Sequence, residues 1–257
     1  MTAGLEIRLF GGLEIQLNGA PVSTFISNKA PALLAYLAVV KRPVQRDSLA
    51  ALFWGEMAEA DAKNNLRQVL TNLRKQLDPQ LDVTRESVAL RSDPPYRVDV
   101  ADFLRGIKAA QQQPAEQIAQ LAASVALYHG DFLEGVILRD APDFEEWALA
   151  QRTRYRELAL NALHDLVDLQ MAAGDFAAAI DSATRLLALD PWREEAHRQL
   201  MLALARTGRR SAALAAYDQC RRTMREVFAA EPAEETAALA AQIKAALRGP
   251  RHNLAPP

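Results

Sequence analysis

A single cysteine, Cys220, excludes an internal disulfide and suits a reducing compartment. It falls within a helical pattern and is expected as a small buried hydrophobe. Histidine is scarce too: His129, His164, His197 and His252 have no ligand spacing, so no metal site is expected. The sequence contains no Gly-Lys pair and hence no Walker loop. It also lacks Gly-x-Gly-x-x-Gly, Gly-x-Ser-x-Gly and His-Glu-x-x-His. No enzyme activity and no cofactor are therefore expected. The longest apolar run, residues 30–40, is too short to span a bilayer, and no secretory signal is legible. A cytoplasmic protein with no membrane partner is expected. An excess of one charge is also missing. Residues 1–100 carry 12 Lys and Arg against 11 Asp and Glu, and residues 101–257 carry 18 against 21. A nucleic-acid partner would have to meet a local patch, with modest non-specific affinity.

What is present is a core. Half of the 257 residues are hydrophobic, enough for one large or two ordinary domains. The most informative stretch is 62–79, AKNNLRQVLTNLRKQLDP. Leu66, Val69, Leu70, Leu73 and Leu77 recur at helical spacing and form one buried stripe. Asn64, Gln68, Thr71 and Lys75 fall opposite, with Arg67 and Arg74 together on one flank. The outer face is amide, hydroxyl and cation, with no acid from Asn64 until Asp78. Amides pair with adenine, guanidinium with guanine, and lysine with phosphate. All six are expected to face nucleic acid: the amides Asn64 and Gln68 and Arg67 are the better candidates for base edges, Arg74 and Lys75 for phosphates, and Thr71 lies among them.

The elements around this helix follow in order. Leu5, Ile7 and Leu9, then Leu13, Ile15 and Leu17, alternate with polar residues about Gly11-Gly12, which predicts a hairpin. Asn18-Gly19 turns into a short third strand at Pro21-Val22. Ser27 or Asn28 is expected to cap a first helix with Leu33, Leu34, Leu37 and Val40 inward. Asp47 or Ser48 is expected to open a second, with Leu49, Leu52 and Phe53 inward, up to Gly55. A loop, 55–61, carries Glu56, Glu59 and Asp61 ahead of the third helix. Residues 81–100 return to alternation, with a turn at Asp93-Pro94-Pro95. Strands, three helices and a hairpin describe a winged helix, with Arg85, Arg91 and Arg97 expected on the wing.

Beyond residue 100 the pattern is helical throughout. Helices are expected over 102–112, from Pro114 to Tyr128 with Ile118, Leu121, Val125 and Leu127 apolar, and from Pro142 to Met171. Gly130 to Gly135 form a compact turn between the last two. A repeat follows: Gly174 and Gly208, Ala178 and Ala212, Ala179 and Ala213, and Ile180 and Leu214 are each 34 residues apart, the tetratricopeptide period. Two such units, 150–190 and 191–230, are expected, with a capping helix at 233–247 and Pro191 and Pro232 starting helices. The expected fold is mostly α. It comprises a winged helix-turn-helix with small hairpins (1–100), an all-α tetratricopeptide-like domain (101–248) and a flexible tail (249–257).

Several stretches together resemble one bacterial family. They are Leu9-Phe10-Gly11-Gly12, 28–37 (NKAPALLAYL), Leu52-Phe53-Trp54, 64–77 (NNLRQVLTNLRKQL), 96–100 (YRVDV), 128–135 (YHGDFLEG) and 200–217 (LMLALARTGRRSAALAAY). The family is the antibiotic regulatory proteins of the SARP type, an OmpR-type winged helix followed by a bacterial transcriptional activator domain. The chain departs from it at 226–232 (EVFAAEP), where the family usually has a Glu-Leu-Gly-Val-Glu-Pro-like stretch. A small member of the family is expected, without a receiver domain before the winged helix or a nucleotide-binding domain after it. The resemblance implies a transcriptional regulator, usually an activator. It implies binding to promoter direct repeats as side-by-side copies and contact with RNA polymerase through the loop carrying Glu56, Glu59 and Asp61. The competing expectation is a protein-interaction scaffold whose winged helix contacts another protein. The lack of a large apolar patch on the outer face of the third helix weighs against it.

Overall fold

The computed structural model describes residues 4–93 and 95–248. It bears out the mostly helical fold with small N-terminal strands. β1 (Leu5–Arg8) and β2 (Glu14–Leu17) pair antiparallel, with Leu5 opposite Leu17 and Ile7 opposite Ile15. Gly11 and Gly12 between them take φ values of +74° and +135°, which a side chain would strain. Asn18 and Gly19 turn the chain into β3 (Ala20–Pro21).

α1 (Lys29–Val40) carries Pro31 in its first turn, where the missing N–H removes no helical bond. Asn28 is the cap residue, but its side chain makes no capping bond. β4 (Val44–Gln45) runs directly into α2 (Arg46–Trp54), so the cap position belongs to Gln45 rather than to Asp47 or Ser48. α3 (Glu59–Leu77) begins one turn earlier than the sequence suggests. Glu59 and Asp61 lie in its first turn, where the helix dipole favours acids, and the loop shrinks to 55–58. Leu66, Val69, Leu70, Leu73 and Leu77 are all buried, as their spacing predicts.

β5 (Leu81–Val83) and β6 (Ser87–Leu90) form the expected hairpin, and β4 joins it to make a sheet of order β4-β6-β5. β7 (Tyr96–Val98) leaves the hairpin and pairs in parallel with β1, completing a sheet of order β3-β2-β1-β7. This corrects the expected position of Arg97, which is not on the wing. Within the turn expected at Asp93-Pro94-Pro95, Pro94 lies outside the described residues, as does the tail at 249–257 with His252.

α4 (Asp99–Gln112) starts at once after β7, earlier than expected. Its first residue, Asp99, ties the helix to the β1–β2 hairpin: the carboxylate accepts the N–H groups of Leu9 at 2.8 Å and Phe10 at 3.0 Å, and that of Val100 at 2.7 Å. Burial raises its pKa above the usual carboxylate value, while those three donors favour the charged form. α5 (Gln117–Leu127), α6 (Pro142–Ala172), α7 (Phe176–Leu189), α8 (Glu194–Arg206), α9 (Arg210–Phe228) and α10 (Glu234–Arg248) complete the chain. Ile118, expected in an apolar stripe, is exposed.

The chain divides into two compact units, Met1–Pro114 with Ala123–Leu158, and Ala115–Ala122 with Ala159–Pro257. The first unit therefore includes the turn after α5 and the first half of α6. Its core is aromatic. The Phe10 ring stands edge-on to Phe103, Tyr128 and Tyr155 at 4.9–5.9 Å between centroids, and Phe53 lies 4.9 Å from Phe144. The turn at 129–135 is hooked onto the β1–β2 hairpin: Leu133 N–H donates to Leu9 O at 2.8 Å and Gly11 N–H to Asp131 O at 3.0 Å. The Asp131 carboxylate in turn accepts the Tyr128 hydroxyl at 2.5 Å and the Arg156 guanidinium at 3.3 Å.

In the second unit the sequence repeat is a structural repeat. Gly174 and Gly208 share φ +77°, Ala179 and Ala213 are wholly buried, and the other two pairs are half-buried. Ala240 and Ile243 of α10 pack with Met201, Leu204 and Ala213. Cys220 is buried and its thiol is pushed up to about 11 by desolvation. Pro191 and Pro232 do not open helices as expected, because α8 and α10 begin at Glu194 and Glu234. Trp192, in the turn before α8, is half exposed.

The departure from the family pattern at 226–232 has a structural counterpart. Ala229 ends α9 at φ +51°, its N–H reaching Arg225 O at 3.1 Å. Aligned on Glu231-Pro232, it occupies the place of the glycine in the family stretch. A left-handed cap is built for glycine, and alanine there is strained. Ala229→Gly is expected to stabilise the second unit by about 1 kcal/mol. Urea denaturation checks this; a loss of stability would show that the turn is held in another way.

Candidate nucleic-acid interface

The outward face of α3 carries the residues its periodicity predicts. Asn64, Arg67, Gln68, Thr71, Arg74 and Lys75 are all exposed. The Arg67 guanidinium donates to Asn64 Oδ1 at 2.5 Å, so this amide and this cation present their remaining donors as one unit. The Thr71 hydroxyl donates back to Arg67 O at 2.8 Å and keeps its lone pairs for an external donor. Arg74 and Lys75 make no ion pair among the described residues, which leaves both charges available.

On the Arg67 side, α3 borders a concavity of about 350 Å³ lined by Arg46, Asp47, Lys63, Asn64, Arg67 and Arg85. Its cations come from three elements. Arg46 opens α2, and its guanidinium donates to Thr84 O at 3.2 Å. Arg85 stands in the β5–β6 turn, while Lys63 and Arg67 lie on α3. Lys63 is already engaged by Glu59 at 2.6 Å and Asp47 at 3.2 Å. Sequence reasoning missed Arg46 and Lys63. The pairing of β4 with β6 brings Arg46 to the wing, and a two-residue strand has no periodicity to reveal it.

The other expected residues are distributed differently. Arg91 faces Asp82 at 3.6 Å with both side chains half exposed, so the pair contributes little to stability. Arg97 lies on β7 and is bound to Asp102 at 3.1 Å, apart from the surface just described. Of the acids expected to meet polymerase, Glu56 is exposed in the 55–58 loop and Asp61 is exposed on α3, while Glu59 is shared with Lys63. On the opposite side of α3 the Thr24 carbonyl accepts the side-chain amides of Gln76 and Asn72, and Asn72 Oδ1 accepts Ile26 N–H at 3.4 Å. Asn72 and Gln76 thus fasten the segment before α1 along this flank. Among the described residues no cluster of His, Cys, Asp and Glu could hold a metal ion, and no helix is long and apolar enough to cross a membrane.

These elements define a winged-helix protein joined to tetratricopeptide-like helices. The model of the family described as bacterial transcriptional activator domain matches residues 98–244, and the chain belongs to that family. Its relatives include the SARP-type regulators to which its motifs point. It is 28% identical over 232 residues to the regulatory protein AfsR of Streptomyces coelicolor, covering 90% of this chain and 23% of AfsR. It is 29% identical over 254 residues to the transcriptional regulatory protein EmbR of Mycobacterium tuberculosis, covering 91% of this chain and 62% of EmbR. It is 26% identical over 249 residues to the regulatory protein DnrI of Streptomyces peucetius, covering 89% and 88%. The chain thus spans about a quarter of AfsR and less than two thirds of EmbR. The solved structure of EmbR in complex with a low affinity phosphopeptide superposes with a TM-score of 0.67 at 27% identity, covering 95% of this chain and 66% of that one.

Proposed function

We propose that this chain is a cytoplasmic, DNA-binding transcriptional activator that reads promoter direct repeats through α3. The single observation that carries this reading is the outer face of α3 between residues 64 and 75: six exposed amide, hydroxyl and cationic side chains with no acid among them. α3 enters the major groove. Asn64, Arg67, Gln68 and Thr71 face base edges, and Arg74 and Lys75 face phosphates. Arg85 and Arg91 of the wing, with Arg46, take the backbone beside it. Arg97, on the other sheet, is outside this set. Glu56, Glu59 and Asp61 meet a basic surface of RNA polymerase. The winged helix and the helical domain divide near residue 100, with 101–248 serving as the activator domain. The near-neutral charge makes one copy a weak binder, so affinity comes from two copies on adjacent repeats.

Selection of bound duplex from a random pool tests the reading. The expected product is a direct repeat with a spacing of about one helical turn. Arg67→Ala is expected to weaken binding to it roughly 10- to 100-fold and to relax the sequence preference at one position. Lys75→Ala is expected to weaken all sequences alike. If wild type and variants enrich no sequence at low salt, the reading fails and the scaffold alternative replaces it.

A further inference from the structure

A second cleft, of about 630 Å³, runs along the flank of α3 that faces away from the wing. One wall is Asn65, Gln68 and Val69 of α3. The other is a segment from the activator-domain half of the chain, Ile137 to Asp140, and the floor includes Lys29 and Trp54. All of these residues belong to the first compact unit. The segment is held at both ends. Leu138 N–H donates to the Glu145 carboxylate at 2.5 Å. Lys29 Nζ, buried, donates to Asp140 O at 3.2 Å and binds the Asp140 carboxylate at 2.8 Å. This contact neutralises the one acid lining the cleft. Arg139 remains exposed, and no hydrogen bond or ion pair engages its guanidinium among the described residues. The Asn28 amide, unused as a helix cap, also lines the cleft.

We infer that this cleft seats the sugar-phosphate strand on the side of α3 opposite the wing, with Arg139 as its phosphate contact. The inference rests on α3 being the DNA-reading helix. Gln68 belongs to both the reading face and the cleft wall, so a duplex on α3 passes the mouth of the cleft. A free guanidinium beside a neutralised acid complements a phosphodiester and not a cationic partner. The exposed side chains of Ile26 and Ile137 at the cleft provide apolar contact for deoxyribose. On this account the activator domain adds to DNA affinity directly, through a short segment anchored at both ends, and not only by supporting the winged helix. Because a backbone contact carries no base information, it raises affinity for all sequences equally.

The test compares wild type, Arg139→Ala and Arg67→Ala on a mixed-sequence duplex and on the duplex recovered from the random pool, across a salt series. Arg139→Ala is expected to weaken both duplexes by about the same factor, roughly three- to tenfold. It should also lower the salt slope by about one and leave the sequence preference intact. Arg139 is exposed, so the variant is expected to fold as wild type does. Unchanged affinity and salt slope in Arg139→Ala, with Arg67→Ala impaired, would overturn this inference and leave α3 as the reader. Wild type binding neither duplex at low salt would instead overturn the DNA-reading assignment. Unaltered DNA binding with lost activation in a reconstituted transcription assay would assign the cleft to a protein partner and also overturn the inference.

Discussion

Gly130→Ala is expected to destabilise the first compact unit by about 3 kcal/mol, enough to shift its thermal midpoint by several degrees. A Cβ at this position would lie 2.5 Å from Gly11 Cα and 3.1 Å from Gly11 N. Both atoms are main chain and cannot rotate away. Relief would have to come from separating the 129–135 turn from the hairpin. That would break the bonds of Gly11 N–H to Asp131 O and of Leu133 N–H to Leu9 O. It would also open the aromatic cluster in which Phe10 meets Tyr128 and Tyr155. Gly135→Ala is the matched control. A Cβ there meets nothing within 4 Å, so only its φ of +75° opposes the substitution, at about 1 kcal/mol. Guanidinium denaturation of the two variants would rank them. Equal and mild losses would mean that the turn and the hairpin are not locked glycine to glycine.

This interlock marks the limit of what the sequence reveals. Gly11-Gly12 and Gly130–Gly135 are each legible as turns, because glycine at a break in periodicity has a local signature. That the two turns meet is a tertiary fact with no local signal, and it explains why Leu9-Phe10-Gly11-Gly12 and YHGDFLEG belong to one pattern. The buried stripe of α3 and the repeat about Gly174 and Gly208 were legible because each is periodic over many residues. β4 and the placement of β7 were not. β4 is two residues long, and β7 alternates equally well whether it pairs with the wing or with β1. Arg97 was therefore misplaced while Arg85 was not. At the candidate interface, the residues of α3 could be named from the helical wheel. Arg46 and Arg139 approach it through pairings between distant parts of the chain.

Lys29→Met is expected to destabilise the first unit by about 2–3 kcal/mol, because the lysine amine satisfies a buried carbonyl that methionine cannot. Lys29 Nζ donates to Phe53 O at 2.6 Å and lies 5.1 Å from the Trp54 ring centroid, and methionine keeps most of the apolar stem. Asp140→Asn is expected to do less, because the Asp140 carboxylate is 75% exposed and water can replace its partner. The pair also has a pH signature. Lys29 holds the Asp140 carboxyl below its ordinary value of 3.8. A carboxyl depressed in the folded state contributes stability above the unfolded value, and that part is lost as the pH falls through the folded one. The gap between wild type and Lys29→Met should therefore narrow below about pH 4, and denaturant melts at pH 7 and pH 3 would show it. The consequence for DNA can be separated from stability. With the clamp intact, Arg139 is held beside α3, and its removal should be felt in full. Once Lys29→Met has freed the 137–140 segment, adding Arg139→Ala should cost less affinity than it does alone. Additive losses would show that Lys29 supports the fold without positioning Arg139.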